Sequence, residues 1–251
     1  MDGRTAIVTG GGKRVGEAIV RALLADGWTV IAHVHRAGDA VAEGAIKAVA
    51  DLAEADCAQR IFAPAHGQPP VRLLVNNAAR FAGDGFGEAS AEEFDAHLRV
   101  NARAPMLLID ELTRRHEGGE ALVVNLLDAK LAAPNADFLS YTISKYALAG
   151  LGEVAARALA GKGIRVNGIA PALMLPSGAQ ATENFAAMHD YNPLQRGIEV
   201  EDLVAALRFL IHSTAITGQT LVLDGGQRFM NLPRDVQFLS PSSERPVSEG
   251  K

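Results

Sequence analysis

Residues 6–16 read Ala6-Ile7-Val8-Thr9-Gly10-Gly11-Gly12-Lys13-Arg14-Val15-Gly16, and an amphipathic stretch continues from Val15 to Ala25. An apolar run this short reads as a strand buried on both faces. Glycines at a strand-to-helix turn let the backbone approach a pyrophosphate, and the helix that follows offers free N–H groups and the positive end of its dipole. The position of the cluster, after a first strand and before a helix, points to dinucleotide binding by Thr9, Gly10, Lys13, Arg14, Val15 and Gly16. The spacing, Gly-x3-Arg-x-Gly, is neither the usual G-x-G-x-x-G nor a Walker loop. Arg14 takes a place where close packing favours a small residue. It is either a cation beside the phosphates or a surface arginine on the first helical turn.

The same alternation continues outward. Thr29–Ala32, Leu73–Val75, Ala121–Val124, Ile164–Val166 and Thr220–Leu223 are further short apolar runs, with a weaker one near Lys47–Ala50. Amphipathic stretches at Ala91–Arg115, Ser140–Ala160 and Val200–Ile211 separate them, and a helix of only two turns fits between the second and third strands. This order predicts an α/β fold, a single doubly wound Rossmann domain of about seven parallel strands with helices on both faces. Residues 1–239 form that domain in this reading. The Ser- and Pro-rich stretch 240–251 reads as a disordered tail. The hydrophobic stretch Arg228–Leu239 is expected to cross to a neighbouring subunit and close its active site.

Composition narrows the function. With 251 residues and a single cysteine, Cys57, the chain can bury a core but cannot form an internal disulfide, so a disulfide scaffold is excluded and a cytoplasmic protein is expected. The net charge of -5 and the 5% aromatic content disfavour nucleic acid and anionic membrane as partners. No apolar stretch is long enough to span a bilayer. The second strand runs into Ala32-His33-Val34-His35-Arg36, with no acid until Asp39. An acid there would hold the ribose hydroxyls, whereas His33, His35 and Arg36 suit a 2′-phosphate, so NADP(H) is the expected cofactor. His33 and His35 lack a third ligand, so no metal is expected. Asp51-Leu52 either meets the adenine edge or opens a helix with Asp51 as N-cap. Ser90 and Glu93 read as a capping box, and His66, His97, His116, His189 and His212 as surface or helix residues.

Tyr141-Thr142-Ile143-Ser144-Lys145 sets a phenol and an ammonium on one face of the Ser140–Ala160 helix. A phenol needs a nearby cation to exchange protons at neutral pH, and Lys145 is placed to be one. Together with the glycine turn, Asp51, Asn76-Asn77-Ala78, Asn101, Pro171 and Asp224-Gly225-Gly226, this pair resembles the short-chain dehydrogenase/reductase family from Arg4 to about Gly226. The resemblance implies that Tyr141 exchanges a proton with substrate and that Lys145 binds the nicotinamide ribose and lowers the Tyr141 pKa. It implies that Asn101 holds a relay water, that Asn76, Asn77, Ala78 and Pro171 line the cofactor cleft, and that the chain forms a homotetramer through Ala91–Arg115 and Ser140–Ala160.

Where that family places a serine thirteen residues before the tyrosine, this chain has Asp128. A carboxylate beside Tyr141 raises the phenol pKa, against the needs of ketone reduction, but suits protonation of a basic nitrogen. Arg14, His33-Val34-His35-Arg36 and Asp128 together look like the pteridine reductases, in which Phe81 falls where a pterin stacks on the nicotinamide. That narrower likeness implies a substrate site of Arg14, Phe81, Asp128, Tyr141 and Leu173, and hydride transfer to a C=N bond of a dihydropterin. Phe81 is otherwise an ordinary core or loop aromatic. Ala79, in place of an expected serine, and Pro171-Ala172, without the usual Gly, depart from the pattern and make the loop Leu175–Asn192 the least transferable part. The alternatives are a carbonyl reductase acting on a 3-oxoacyl or sugar ketone, and an idle NADP-binding sensor.

Overall fold

The apolar runs become strands β1 (Thr5–Val8), β2 (Thr29–Val34), β3 (Ile46–Val49), β4 (Val71–Asn76), β5 (Ala121–Leu126), β6 (Ile164–Pro171) and β7 (Thr220–Leu223) of a computed structural model that describes residues 3–176 and 180–239. They pair in parallel, in the order β3-β2-β1-β4-β5-β6-β7. The reversal of strand order between β1 and β4 opens a crevice beyond their carboxyl ends, where such sheets bind ligands. The polar tail expected from Ser240 onward lies outside the described residues, as do residues 177–179 of the expected substrate loop.

Side-chain alternation sends neighbouring residues to opposite faces. Ile7, Ile31, Leu74, Val123 and Val166 face helices α2 (Cys57–Phe62), α4 (Ala104–Arg115) and α5 (Leu139–Leu159). Ala6, Val8, Val30, Val75 and Val124 face α1 (Arg14–Ala25) and α7 (Val200–His212). Burying a side chain such as Ile7 or Leu74 stabilises the fold by roughly 1.5–3 kcal/mol.

Three local expectations change. No helix joins β2 to β3: the Asp39 carboxylate accepts the Arg36 N–H at 2.9 Å and the Asp39 N–H returns to the Arg36 carbonyl at 3.0 Å, closing a turn where helix was expected. The stretch Ala91–Arg115 is divided into α3 (Ala91–Leu98), a π-helical turn (Arg99–Arg103) and α4. Pro105 has no N–H to give to the Asn101 carbonyl four residues before it, so the regular ladder is interrupted there and Asn101 points inward. Ser90 caps α3 by accepting from Glu93 N–H, but the Glu93 carboxylate turns away to Arg80 and His97, leaving the capping box half made.

The glycine turn is as tight as its sequence suggests. Gly10 has φ +64°, and a Cβ on Gly16 would stand 2.0 Å from the Gly10 carbonyl oxygen. Gly16→Ala is therefore expected to push the turn out of place and weaken NADPH binding by about tenfold or more, read by fluorescence titration. Unchanged affinity would contradict this reading of the turn.

Candidate active site

Two cavities meet above the carboxyl ends of the strands. One, of about 730 Å³, is lined by Gly10, Gly12, Lys13, His35, Asp51, Leu52 and Ala78, among others. The other, of about 550 Å³, is lined by Phe81, Asp128, Tyr141, Lys145, Pro171 and Leu173, among others. Arg14, Val15, Asn77 and Ala79 line both, so a ligand along the first cavity ends at the floor of the second.

The floor of the first cavity is a backbone lattice. The Thr9 hydroxyl accepts the N–H groups of Asn77 (2.9 Å) and Ala78 (3.0 Å), and the Asn77 amide donates to the Thr9 carbonyl at 2.8 Å. His33 lies beneath. Its Nδ1 accepts the Gly10 N–H at 3.1 Å, so the proton sits on Nε2, which donates to the Ala50 carbonyl at 3.1 Å. Burial lowers its pKa. The charge expected of His33 is therefore absent, because both ring nitrogens are spent on holding the turn. Arg36 is exposed and does not line the cavity. The cations that do line it include Lys13 and Arg14. His35 stands 4.0 Å from Asp51, and the Asp51 carboxylate accepts the Ala53 N–H at 2.8 Å. That contact closes a turn, and the next helix begins only at Cys57, so Asp51 is not a helix N-cap. Arg14, at φ +52°, sends its guanidinium to the Pro176 carbonyl at 2.7 Å, spanning the mouth between the cavities.

The second cavity gathers Asp128, Tyr141 and Lys145. Tyr141 Oη donates to Asp128 Oδ2 at 2.8 Å, and Asp128 Oδ1 accepts the Lys130 N–H at 2.8 Å. Desolvation raises the Asp128 pKa despite those two bonds. Burial and the Asp128 charge raise Tyr141 well above the ordinary phenol. Lys145 Nζ donates to the Leu126 carbonyl at 2.6 Å, and burial lowers its pKa to about 8 although Asp128 opposes the shift. Lys145 was expected to lower the Tyr141 pKa. Here burial of the phenol, reinforced by Asp128, shifts it the other way. Phe81 packs at 4.6 Å from Phe138 and edge-on at 4.7 Å from Tyr141, forming one wall of the cavity. Asn101 lines neither cavity. Its amide bridges Arg80, through N–H (2.7 Å) and carbonyl (2.9 Å), to the Ser144 hydroxyl (2.8 Å).

Several supporting groups gave no sequence signal. Asp84 accepts the N–H of Ser140 at 2.9 Å and also its hydroxyl, satisfying the start of α5. Lys130 donates to the Asp137 carbonyl at 2.5 Å and meets Asp235 at 3.5 Å, while Arg234 forks onto Asp137 at 2.9 Å. Phe238 stacks on Phe138. These contacts fold the Arg228–Leu239 stretch onto its own chain, where Leu232, Asp235 and Val236 line the second cavity. The stretch expected to reach a neighbour makes its ion pairs and ring contacts with residues of its own chain. Among the described residues no group of three or more His, Cys, Asp or Glu is placed to hold a metal, and no helix is long and apolar enough to cross a membrane.

A carboxyl group whose pKa is raised by folding costs stability from the pH at which the unfolded chain ionises. The cost is absent below the ordinary carboxylate range, grows as pH rises from there to the folded-state pKa, and is level above it. Asp128→Asn removes the charge while its amide oxygen still accepts the Lys130 N–H and its NH2 group can donate to a turned Tyr141 hydroxyl. Its melting temperature should therefore exceed that of the native protein by a margin that widens from pH 4 to pH 8, on the order of a few degrees. A constant or inverted margin in a thermal scan would show that Asp128 is not held against its charge.

Comparison with known proteins agrees with this geometry. Residues 12–228 match the family model described as enoyl-(acyl carrier protein) reductase. Pteridine reductase 1 of Leishmania tarentolae is 33% identical, over 88% of this chain and 95% of that protein. The L-xylulose reductase of Bos taurus is 34% identical, over 90% of this chain and 97% of that protein. Among solved structures, FolM alternative dihydrofolate reductase 1 from Brucella canis, complexed with NADP, superimposes with a TM-score of 0.83 at 34% identity, covering 91% of this chain and 95% of that one.

Proposed function

The chain belongs to the short-chain dehydrogenase/reductase family, as an NADP-dependent reductase of the pteridine reductase-like subgroup, and from that premise we propose that it reduces a C=N bond of a dihydropterin of the dihydrobiopterin, dihydromonapterin or dihydrofolate type. The observation that carries this reading is the 2.8 Å contact between Tyr141 Oη and Asp128 on the floor of a cavity walled by Phe81. The cofactor fits the first cavity because Gly12 and Gly16 let the turn pack tightly on the backbone of Ala40 and Gly10 and present its own backbone to the cavity, and because Lys13 and Arg14 stand where phosphates need cations. Lys13, Arg14, Val15 and His35 would hold the phosphate and ribose end, Asp51 and Leu52 the adenine end, and Asn77, Ala78, Lys145 and Pro171 the nicotinamide end. Bound NADPH supplies one hydride per C=N bond reduced.

The chain's own part is the proton. Desolvation raises the pKa of both Asp128 and Tyr141, so each favours its protonated form and is suited to donate to a ring nitrogen. The flat ring of a pterin matches the Phe81 wall. Arg14 and Leu173, at the cavity mouth and side, would bound the ring. A second reading, reduction of a sugar ketone, draws on the L-xylulose reductase relatives. The raised Tyr141 pKa and the carboxyl group beside it favour the first. We read residues 1–239 as one domain. We also infer a homotetramer, because Met106 on α4 and Ile143, Tyr146 and Val154 on α5 expose apolar surface, with Ala147 and Gly150 open between them.

Loss of NADPH absorbance, with dihydropterins and sugar ketones compared side by side, tests the substrate. Dihydropterins should be turned over, and Asp128→Ala should slow that reaction by about a hundredfold. Ketone reduction that outpaces dihydropterins and improves in Asp128→Ser would transfer the assignment to the carbonyl reductases. For the assembly, Val154→Arg should lower the mass measured by light scattering. A native protein that is already monomeric would refute the tetramer.

A further inference from the structure

Phe81 is 37% exposed, and it sits in a segment without regular secondary structure. Such a wall is useful for stacking only if its backbone is held. The residues on either side of it are tied down from α3. Arg80 forks onto Glu93, with Nε–Oε1 at 2.8 Å and Nη2–Oε2 at 2.6 Å. Ala82 N–H donates to His97 Nε2 at 3.3 Å. His97 Nδ1 then carries the proton and meets the Glu93 carbonyl at 2.9 Å and Glu93 Oε1 at 3.1 Å. Arg80, Glu93, His97 and Ala82 close a polar ring around the Phe81 backbone, and the Phe81 side chain packs on Phe138 and Tyr141.

His97 was expected at the surface or as an ordinary helix residue. It is instead fully buried, with its ring 6.5 Å from that of Tyr141. A buried imidazole is retained at a cost in desolvation unless its nitrogens are used, and here both are used on this loop and its anchor. Glu93, half-buried on the same helix, does the same work. Its carboxylate forgoes the cap of its own helix to bind Arg80, and the hydrogen bonds to Arg80 lower its pKa.

We propose that His97, acting with Glu93, is a positioning residue that fixes Phe81 in the wall of the substrate cavity and so sets affinity for a flat ring. This rests on the reading of Phe81 as the stacking residue, and the test separates the two. His97→Leu fills the space but leaves Ala82 N–H unpartnered. It should raise KM for a dihydropterin by about tenfold, lower kcat by less than about threefold, and leave the NADPH dissociation constant within about twofold. His97→Gln, whose amide both accepts and donates, should recover most of the affinity. Glu93→Gln, which keeps the side-chain shape and removes the charge that binds Arg80, should give a smaller KM rise of the same kind. In a crystal structure of His97→Leu, the Phe81 ring should leave its place 4.7 Å from Tyr141. An unmoved ring with unchanged KM overturns the proposal. So does an equal loss of kcat, NADPH affinity and melting temperature in both His97 variants, which marks a general structural role. A displaced ring in a protein that reduces only sugar ketones keeps the brace and removes the pterin.

Discussion

A parallel sheet covered by helices on both faces has no room for unpaired polar groups except at the ends of its strands, and the rest of this molecule follows from that constraint. Strands such as β1 and β5 are buried along their whole length. Their polar neighbours Thr9, Asn77 and Asp128 appear just where the apolar runs stop. Because all seven strands point the same way, these stops gather on one edge. The glycine turn, the His33 prop beneath it and the Asp128–Tyr141 pair are therefore neighbours in space although they come from distant parts of the chain.

The site trades stability for chemistry. Asp128, Tyr141 and Lys145 are ionisable groups held out of water, and burial pushes each toward its neutral form. The attraction between Asp128 and Lys145 recovers only part of that cost. The upward shifts of Asp128 and Tyr141 favour their protonated forms, the direction that proton delivery in a reductase requires. The surrounding structure stabilises them indirectly, through the Asp84 contacts at the start of α5 and the Lys130–Asp235 and Arg234–Asp137 contacts that seat the last described residues against the cavity.

Support of this kind is what sequence reading misses. Arg234 and Asp137 lie 97 residues apart, and nothing in either neighbourhood announces the other. His97 has no partner at a metal-like or catalytic spacing, because its partners are a backbone N–H on a loop and a carboxylate one turn away that a capping motif seemed to claim. His33 was legible as a polar residue at the end of β2, but its neutrality depends on Gly10 and Ala50 converging on its two nitrogens. The missing helix between β2 and β3 follows from a tight turn at Asp39 that local propensity does not reveal.

The amino-acid sequence alone determined the alternation of strands and helices, the glycine turn, the Tyr141–Lys145 spacing and the unusual Asp128, since each is a property of residues close along the chain. Periodicity and local chemistry act over a few residues and are written directly in their order. Only the tertiary structure decided which groups keep their charge, where the segment after Arg228 packs, and what holds Phe81. Those outcomes depend on desolvation and on hydrogen bonds between residues far apart in sequence, and both exist only once the chain has closed around them.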